Sequence, residues 1–289
     1  MRIMKAFALV LAAAAVLAGA ARAQEVVAVL SSDQRAYREA YESFQSSFGK
    51  PVPLLTLGES VPSDAKIVLA FGGKAAIQRY PGRVALIYAV APSLLVDRKT
   101  HDGTSIKIMM EPEAGALLGA LTAIQPGLKR LAVLWSSAGQ AASAERLVRL
   151  GAGRGVSVTA ERLEDADGLP DRLRALEGKA DAIWLSPDPL LINSRNFEVI
   201  KHYSYGNRMP FYAPTEGLAE QGAPAAVSVS YEEMGRAMAA AAKGVLAGSH
   251  PAAEVFSERV RLAVNRTAAK EAELAIPAEA LKTADKVYP

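Results

Sequence analysis

The chain has 289 residues, of which 51% are apolar, 6% aromatic and 22% charged, with no cysteine and a formal net charge of +3. That is enough apolar chain to bury a sizeable core in one large domain or two modest ones. It excludes a disordered polymer, a collagen-like repeat and a disulfide-stapled mini-protein.

The first 23 residues account for the positive balance. Arg2 and Lys5 make a short basic start, Ala6 to Gly19 is an almost unbroken run of Ala, Leu, Val and Phe, and Ala21-Arg22-Ala23 has the small-x-small pattern that a signal peptidase accepts. The apolar run is about 14 residues long, against the roughly 20 needed to cross a bilayer as a helix. Residues 1–23 therefore read as a secretory signal peptide cleaved near Ala23-Gln24, with the mature chain exported. No cysteine follows to carry a lipid anchor. Arg2, Lys5 and Arg22 leave with the signal, so 30 basic residues face 30 acidic ones in the mature chain. A neutral body offers no field for a phosphate backbone, and no nucleic-acid partner is expected.

Val26 to Leu30 is a continuous apolar run that reads as a strand buried on both faces. Ser31 and Gln34 have capping-box spacing before a helix that shows Ala36, Tyr37, Ala40, Tyr41, Phe44 and Phe48 on one face and stops at Gly49 and Pro51. Strands are expected at Val52 to Leu57, Ile67 to Phe71 and Val84 to Val90, with a short helix from Lys74 to Tyr80. A helix from Glu113 to Ile124 follows Pro112 and closes at Pro126-Gly127. The opening pattern then repeats: strand Leu131 to Trp135, serine turn Ser136-Ser137, helix Ala141 to Leu150. Val156 to Thr159, Ala182 to Leu185 and Pro210 to Ala213 read as strands, and Pro170 to Glu177 as a helix. Two similar series of βα units give two α/β lobes, each a parallel sheet flanked by helices. The remaining elements, a strand at Ala226 to Ser230, a helix at Glu232 to Leu246 and one alternating strand at Ser257 to Val264, return to complete the two sheets. The connection between lobes is then multi-stranded and hinge-like.

Reactive motifs are scarce. His101, His202 and His250 lie far apart in loop-like surroundings, without helical i, i+4 spacing, so no metal is expected. There is no Gly-x-Ser-x-Gly elbow, and Gly72-Gly73-Lys74 lacks the upstream glycine and following hydroxyl of a phosphate loop. Gly151-Ala152-Gly153-Arg154-Gly155 misses dinucleotide spacing and reads as a helix stop. Asn265-Arg266-Thr267 is a glycosylation sequon in form only. What remains is geometry: in an open α/β sheet ligands bind where strands deliver loops to helix N-termini. Here those loops are Ser31-Ser32-Asp33, Gly72-Gly73-Lys74, Ala91-Pro92-Ser93, Ser136-Ser137, Ser186-Pro187-Asp188 and Tyr212 to Glu216. Their hydroxyls, glycines and aromatics suit hydrogen bonding to a small polar ligand between two lobes.

Val26 to Leu30, Ile67 to Ala75, Ala89 to Pro92 and Leu128 to Leu134 resemble, in that order, the periplasmic solute-binding proteins of ABC transporters with the type I fold, in the branch that includes tryptophan- and tyrosine-binding members. Tyr231 to Gly235, Leu246 to Gly248, Val264 to Ala269 and Ala275 to Pro277 resemble that family's closing segment. The chain departs from the family at Lys74, in place of a small hydroxyl residue, and at Ala91, in place of an aspartate before Pro92. A lysine there adds a charge able to pair with an anion, and the missing acid removes a partner for an amine.

The resemblance implies a non-enzymatic, cofactor-free monomer that closes two Rossmann-like lobes on a small molecule, an amino acid or organic anion, and delivers it to an inner-membrane ABC permease. The expected division is residues 24–108 plus about 224–250 for the N-terminal lobe, and 109–223 plus about 251–289 for the C-terminal lobe. Ser31, Ser32, Gly73, Lys74, Ser93, Ser136, Ser137, Asp188, Thr215 and Tyr231 are the expected cleft residues. Two rival readings are a sensory or assembly protein that keeps the fold and binds a partner protein, and an exported hydrolase. The second has no nucleophile and base pair behind it.

Overall fold

The computed structural model describes residues 24–165 and 167–289, so the expected signal peptide lies outside the described residues. Six strands build the first sheet: β1 (Val26–Leu30), β2 (Leu54–Leu55), β3 (Ile67–Phe71), β4 (Ala85–Ala89), β5 (Ser105–Pro112) and, from much later in the chain, β11 (Glu254–Ser257). They lie in the order β11-β5-β4-β3-β1-β2, all parallel. The second sheet holds β6 (Arg130–Trp135), β7 (Ser157–Arg162), β8 (Ala182–Leu185), β9 (Phe211–Ala213), β10 (Ala225–Ser228), β12 (Arg261–Asn265) and β13 (Lys286–Tyr288). Its order is β13-β12-β10-β9-β8-β6-β7, parallel except where β12 runs antiparallel to β10.

The helices are α1 (Arg35–Phe48), α2 (Gly73–Ala76), α3 (Ala114–Ile124), α4 (Ala141–Ala152), α5 (Leu169–Ala175), α6 (Ser194–Asn207), α7 (Glu216–Glu220), α8 (Tyr231–Leu246), α9 (Arg266–Glu271) and α10 (Ala278–Thr283). Both faces of each sheet are covered, which is why the central strands read as unbroken apolar runs. In the first lobe, Phe44 of α1 and Met234 and Met238 of α8 pack on Ile67, Leu69 and Ile87, while Ala75 and Ala76 of α2 join Val27, Val68 and Leu86 on the other face. In the second lobe, Leu117, Leu121 and Leu147 of α3 and α4 cover Val133 and Trp184; Leu173, Phe197 and Ile200 of α5 and α6 cover Leu134, Ile183 and Phe211. Each large side chain so buried contributes roughly 1.5–3 kcal/mol.

The chain crosses between the sheets three times: after Pro112, between Ser228 and Tyr231, and between Ser257 and Arg261. The expected single strand at 257–264 is therefore two strands in two sheets. The expected lobe boundaries also differ from the sheet topology. β10 bonds within the second sheet and β11 within the first, β5 continues past 108 to Pro112, and only α8, of the 224–250 segment, packs on the first lobe. The expected strand at 52–57 shrinks to Leu54–Leu55, because Pro51 and Pro53 have no N–H to give an edge ladder. His202 sits on α6 and not in a loop.

The closest helix contact fixes α1 against α8. A Cβ at Gly235 would lie 2.2 Å from the Ala40 carbonyl oxygen and 2.8 Å from the Phe44 nitrogen, both backbone atoms. Gly235→Ala is expected to force the helices apart and lower stability by about 2 kcal/mol, seen as a lower midpoint in urea unfolding with the same slope.

Candidate functional site

Parallel strands bring their following loops to the carboxyl edge of each sheet. On the first edge, Ser31 is buried, and its hydroxyl accepts a hydrogen bond from the Ala75 N–H at 2.9 Å. It therefore serves the start of α2. The N-cap of α1 is Gln34, with no side-chain cap bond, so the capping box expected from Ser31 and Gln34 is not formed. Gly72 adopts φ +95°, and a Cβ there would lie 2.6 Å from Ser31 Oγ and 2.7 Å from the Tyr37 ring. Only glycine lets the β1 and β3 loops and Tyr37 meet. Ser32 and Lys74 are exposed beside this junction, and Gly73 is half-buried. Tyr231 packs against the same core as Tyr37, and burial first, then Glu39 and Tyr37, raises its phenol above the ordinary range.

On the second edge, Asp188 is the organising group. Its carboxylate accepts from the Ser136 N–H at 2.9 Å, the Ser137 N–H at 2.5 Å, the Ser137 hydroxyl at 2.6 Å and the Leu190 N–H at 3.0 Å. The Ser136 hydroxyl donates to the Leu163 carbonyl at 2.8 Å. Asp188 is 1% exposed, so it braces the β6 and β8 loops against each other. Thr215 is the N-cap residue of α7, without a side-chain cap bond.

Ser93 joins the two edges. It and Val90 adopt left-handed φ of +56° and +54°, strained for residues with a Cβ and most of all for β-branched valine. The Ser93 hydroxyl donates to the Pro187 carbonyl at 3.4 Å and accepts from Gln140 Nε2 at 3.2 Å. Gly139 lies so close that a Cβ on it would stand 2.2 Å from the Ser93 carbonyl oxygen. Electrostatics cross the same gap: Glu39, hydrogen-bonded at 2.6 Å, raises the Arg35 guanidinium pKa, and Glu232 and second-lobe Glu216 add to it.

The ten expected residues thus lie on or between the two facing edges. Direct hydrogen bonds join Ser136 and Ser137 to Asp188, whereas Ser93 meets second-lobe residues that were not among the ten, Gln140 and Pro187. Gly139, Gln140 and Tyr37 were missed. The signal for the first two was their position in the turn that opens with Ser136-Ser137; Tyr37 was masked by its place on the apolar stripe of α1. A separate cavity of about 850 Å³ opens at the amino end of β1, against Val26, Phe48, Pro51 and Leu246, and touches none of the ten. Among the described residues, no group of three or more His, Asp or Glu is placed to hold a metal ion, and no helix is long and apolar enough to cross a membrane.

Residues 116–288 match the family model for ABC transporter substrate binding proteins. No curated protein sequence matches the chain. In fold it is similar to a ligand-free, open substrate-binding protein with adhesive properties from Clostridium difficile, with a TM-score of 0.64, 14% identity, and 91% of this chain and 98% of that one covered. It is similar to a conserved domain protein from Vibrio cholerae, with a TM-score of 0.60, 14% identity and 91% and 98% covered. It is also similar to an ABC domain in complex with L-Trp from Streptococcus pneumonia, with a TM-score of 0.59, 18% identity and 91% and 99% covered.

Two substitutions separate bracing from contact. Asp188→Ala leaves three N–H groups and a hydroxyl without their acceptor and is expected to cost about 3 kcal/mol in urea unfolding. Gly139→Ala is expected to leave each lobe folded but push the edges apart, raising the radius of gyration in small-angle scattering.

Proposed function

Because the chain belongs to the ABC transporter substrate binding protein family and has the type I periplasmic binding protein fold, we propose that it is the periplasmic binding component of a bacterial ABC transporter. Residues 1–23 export it, its two lobes close on a small polar solute, and the loaded form delivers that solute to an inner-membrane permease. The observation that carries this reading is the pair of facing carboxyl edges, rich in hydroxyls and helix N-termini, that meet directly at Ser93, Gly139 and Gln140. Exposed Lys74, at the start of α2 on the first edge, favours a solute that carries a carboxylate or other anion: an amino acid or an organic acid. The protein acts as a monomer without cofactor and without catalysis, since closing on a ligand requires only that the closed form bind it more tightly than the open one.

A second reading has its own support. The hydroxyls of Ser31, Ser93, Ser136 and Ser137 are all engaged by the protein itself. A cleft so satisfied suits a sensory or assembly protein that presents its closed surface to a protein partner.

Thermal shift of the purified protein against amino acids and organic anions, with native mass spectrometry for any retained molecule, separates the two. A solute at a hundred times its Kd stabilises by about 2.7 kcal/mol, a rise in Tm of roughly 5 °C or more. Lys74→Ala is expected to reduce that rise for anionic solutes. If no small molecule raises Tm while a periplasmic receptor domain does, solute transport is the wrong reading.

A further inference from the structure

Gln140, Ser143 and Arg146 recur every third residue and so lie along one face of α4 and its lead-in turn. Each meets a group outside the second lobe's core. Gln140 Nε2 donates to Ser93 Oγ at 3.2 Å, the Ser143 hydroxyl donates to the Glu111 carboxyl, and Arg146 pairs with Glu254 at 3.3 Å while its guanidinium lies 4.2 Å over the Phe256 ring. Glu111 stands on β5 and Glu254 on β11, the two strands that leave the first sheet side by side. Lys107 shares a face of β5 with Glu111 and pairs in register with Glu254.

This cluster is buried and incompletely satisfied. Glu111 is 4% exposed and Lys107 3%. Lys107 Nζ and Arg146 Nη1 are buried without a partner. Glu111, Ser143, Arg146 and Phe256 border a space of about 10 Å³, room for about one water molecule. The groups that face Glu111 are Ser143 and Arg146 from α4, Lys107 from its own strand and Glu254 from β11. Burial pushes the Glu111 carboxyl up to about 7 against the opposing pull of Ser143, Lys107 and Arg146.

We propose that the α4 stripe is a proton-operated latch between the lobes: closed, it covers Glu111, and loss of a proton from Glu111 favours withdrawal of α4 and opening. The cost that holds the proton is desolvation, and α4 supplies the desolvating surface. Once α4 withdraws, water reaches the carboxylate and its affinity for the proton falls to the ordinary value of 4.5. Closure then takes up a proton between these two values, so the closed fraction falls as pH rises through that window and levels off above it. From pH 5.5 to pH 8.5 the closed-to-open ratio falls by about thirtyfold.

The proposal rests on the lobe movement of the proposed binder but needs no solute. The chain has no cysteine, so Arg98→Cys in the first lobe and Arg195→Cys in the second accept a unique pair of spin labels. Pulsed dipolar distances measured without solute at pH 5.5, 7 and 8.5 are expected to shift from a short to a long population. Glu111→Gln is expected to hold the short population at all three pH values. Ser143→Ala, which removes the hydroxyl that favours ionisation, moves the transition to higher pH, so the test stands even if Glu111→Gln does not fold. One unchanging distance distribution across pH, a response that survives Glu111→Gln, or no movement of the midpoint in Ser143→Ala would overturn the latch. A protein that gains Tm from a solute yet shows no pH response loses the latch and keeps the binding function.

Discussion

The structure hangs on a two-stranded ribbon. β5 pairs with β4 only as far as Lys107; beyond that, its partner is β11, which stays with it to Pro112 and closes with the Glu113 N–H on the Ser257 carbonyl at 2.8 Å. This ribbon has to leave one sheet and start the other lobe while keeping its backbone bonded. Pro112 then ends the strand, and Glu113 caps α3 with its own carboxylate, which accepts from Gly115 N at 2.6 Å and Ala116 N at 3.0 Å. A helix start satisfied from within its own sequence can follow a strand with no intervening loop.

The rest of the arrangement follows from where the ribbon puts the lobes. Because both sheets are almost wholly parallel, their loops gather at carboxyl edges, and the ribbon turns those edges toward one another. The edges are rigid by different means. Ser31 and Gly72 lock the first through a backbone hydrogen bond and a contact that tolerates no Cβ; Asp188 locks the second with four donors. Recognition surfaces of this kind gain from groups whose positions are fixed before a ligand arrives. The two edges come together at the seam, where Val90 and Ser93, both at left-handed φ, lead into the contact of Ser93 with Gly139 and Gln140.

That seam and the ribbon share one helix. α4 presents apolar Ala144 and Leu147 to its own lobe and a polar stripe to the other. A polar contact between lobes can be made and broken at little net free energy, since water replaces each hydrogen bond. A fully apolar seam would hold the lobes shut. Glu111 of β5, buried against that stripe, is the group through which the proposed latch would respond to proton concentration.

The sequence by itself determined the two series of βα units, the central strands and the loops at their ends, because strands buried on both faces must be continuous apolar runs bounded by turn residues. Val26–Leu30, Ile67–Phe71 and Ala182–Leu185 needed nothing else, nor did the helix stop at Gly49. β5 escaped that logic, since Lys107 and Glu111 interrupt the apolar pattern of a strand that is buried nonetheless. The split of residues 254–265 between two sheets was hidden for a related reason: which sheet a short strand joins depends on partners far away in the chain. Tertiary structure alone decided that Ser31 serves α2, that Asp188 braces its own lobe, and that Ser93 meets Gln140 and Glu111 meets Ser143 across the seam. Side-chain hydrogen bonds are set by the packing of distant elements, and residue type and spacing carry no record of that packing.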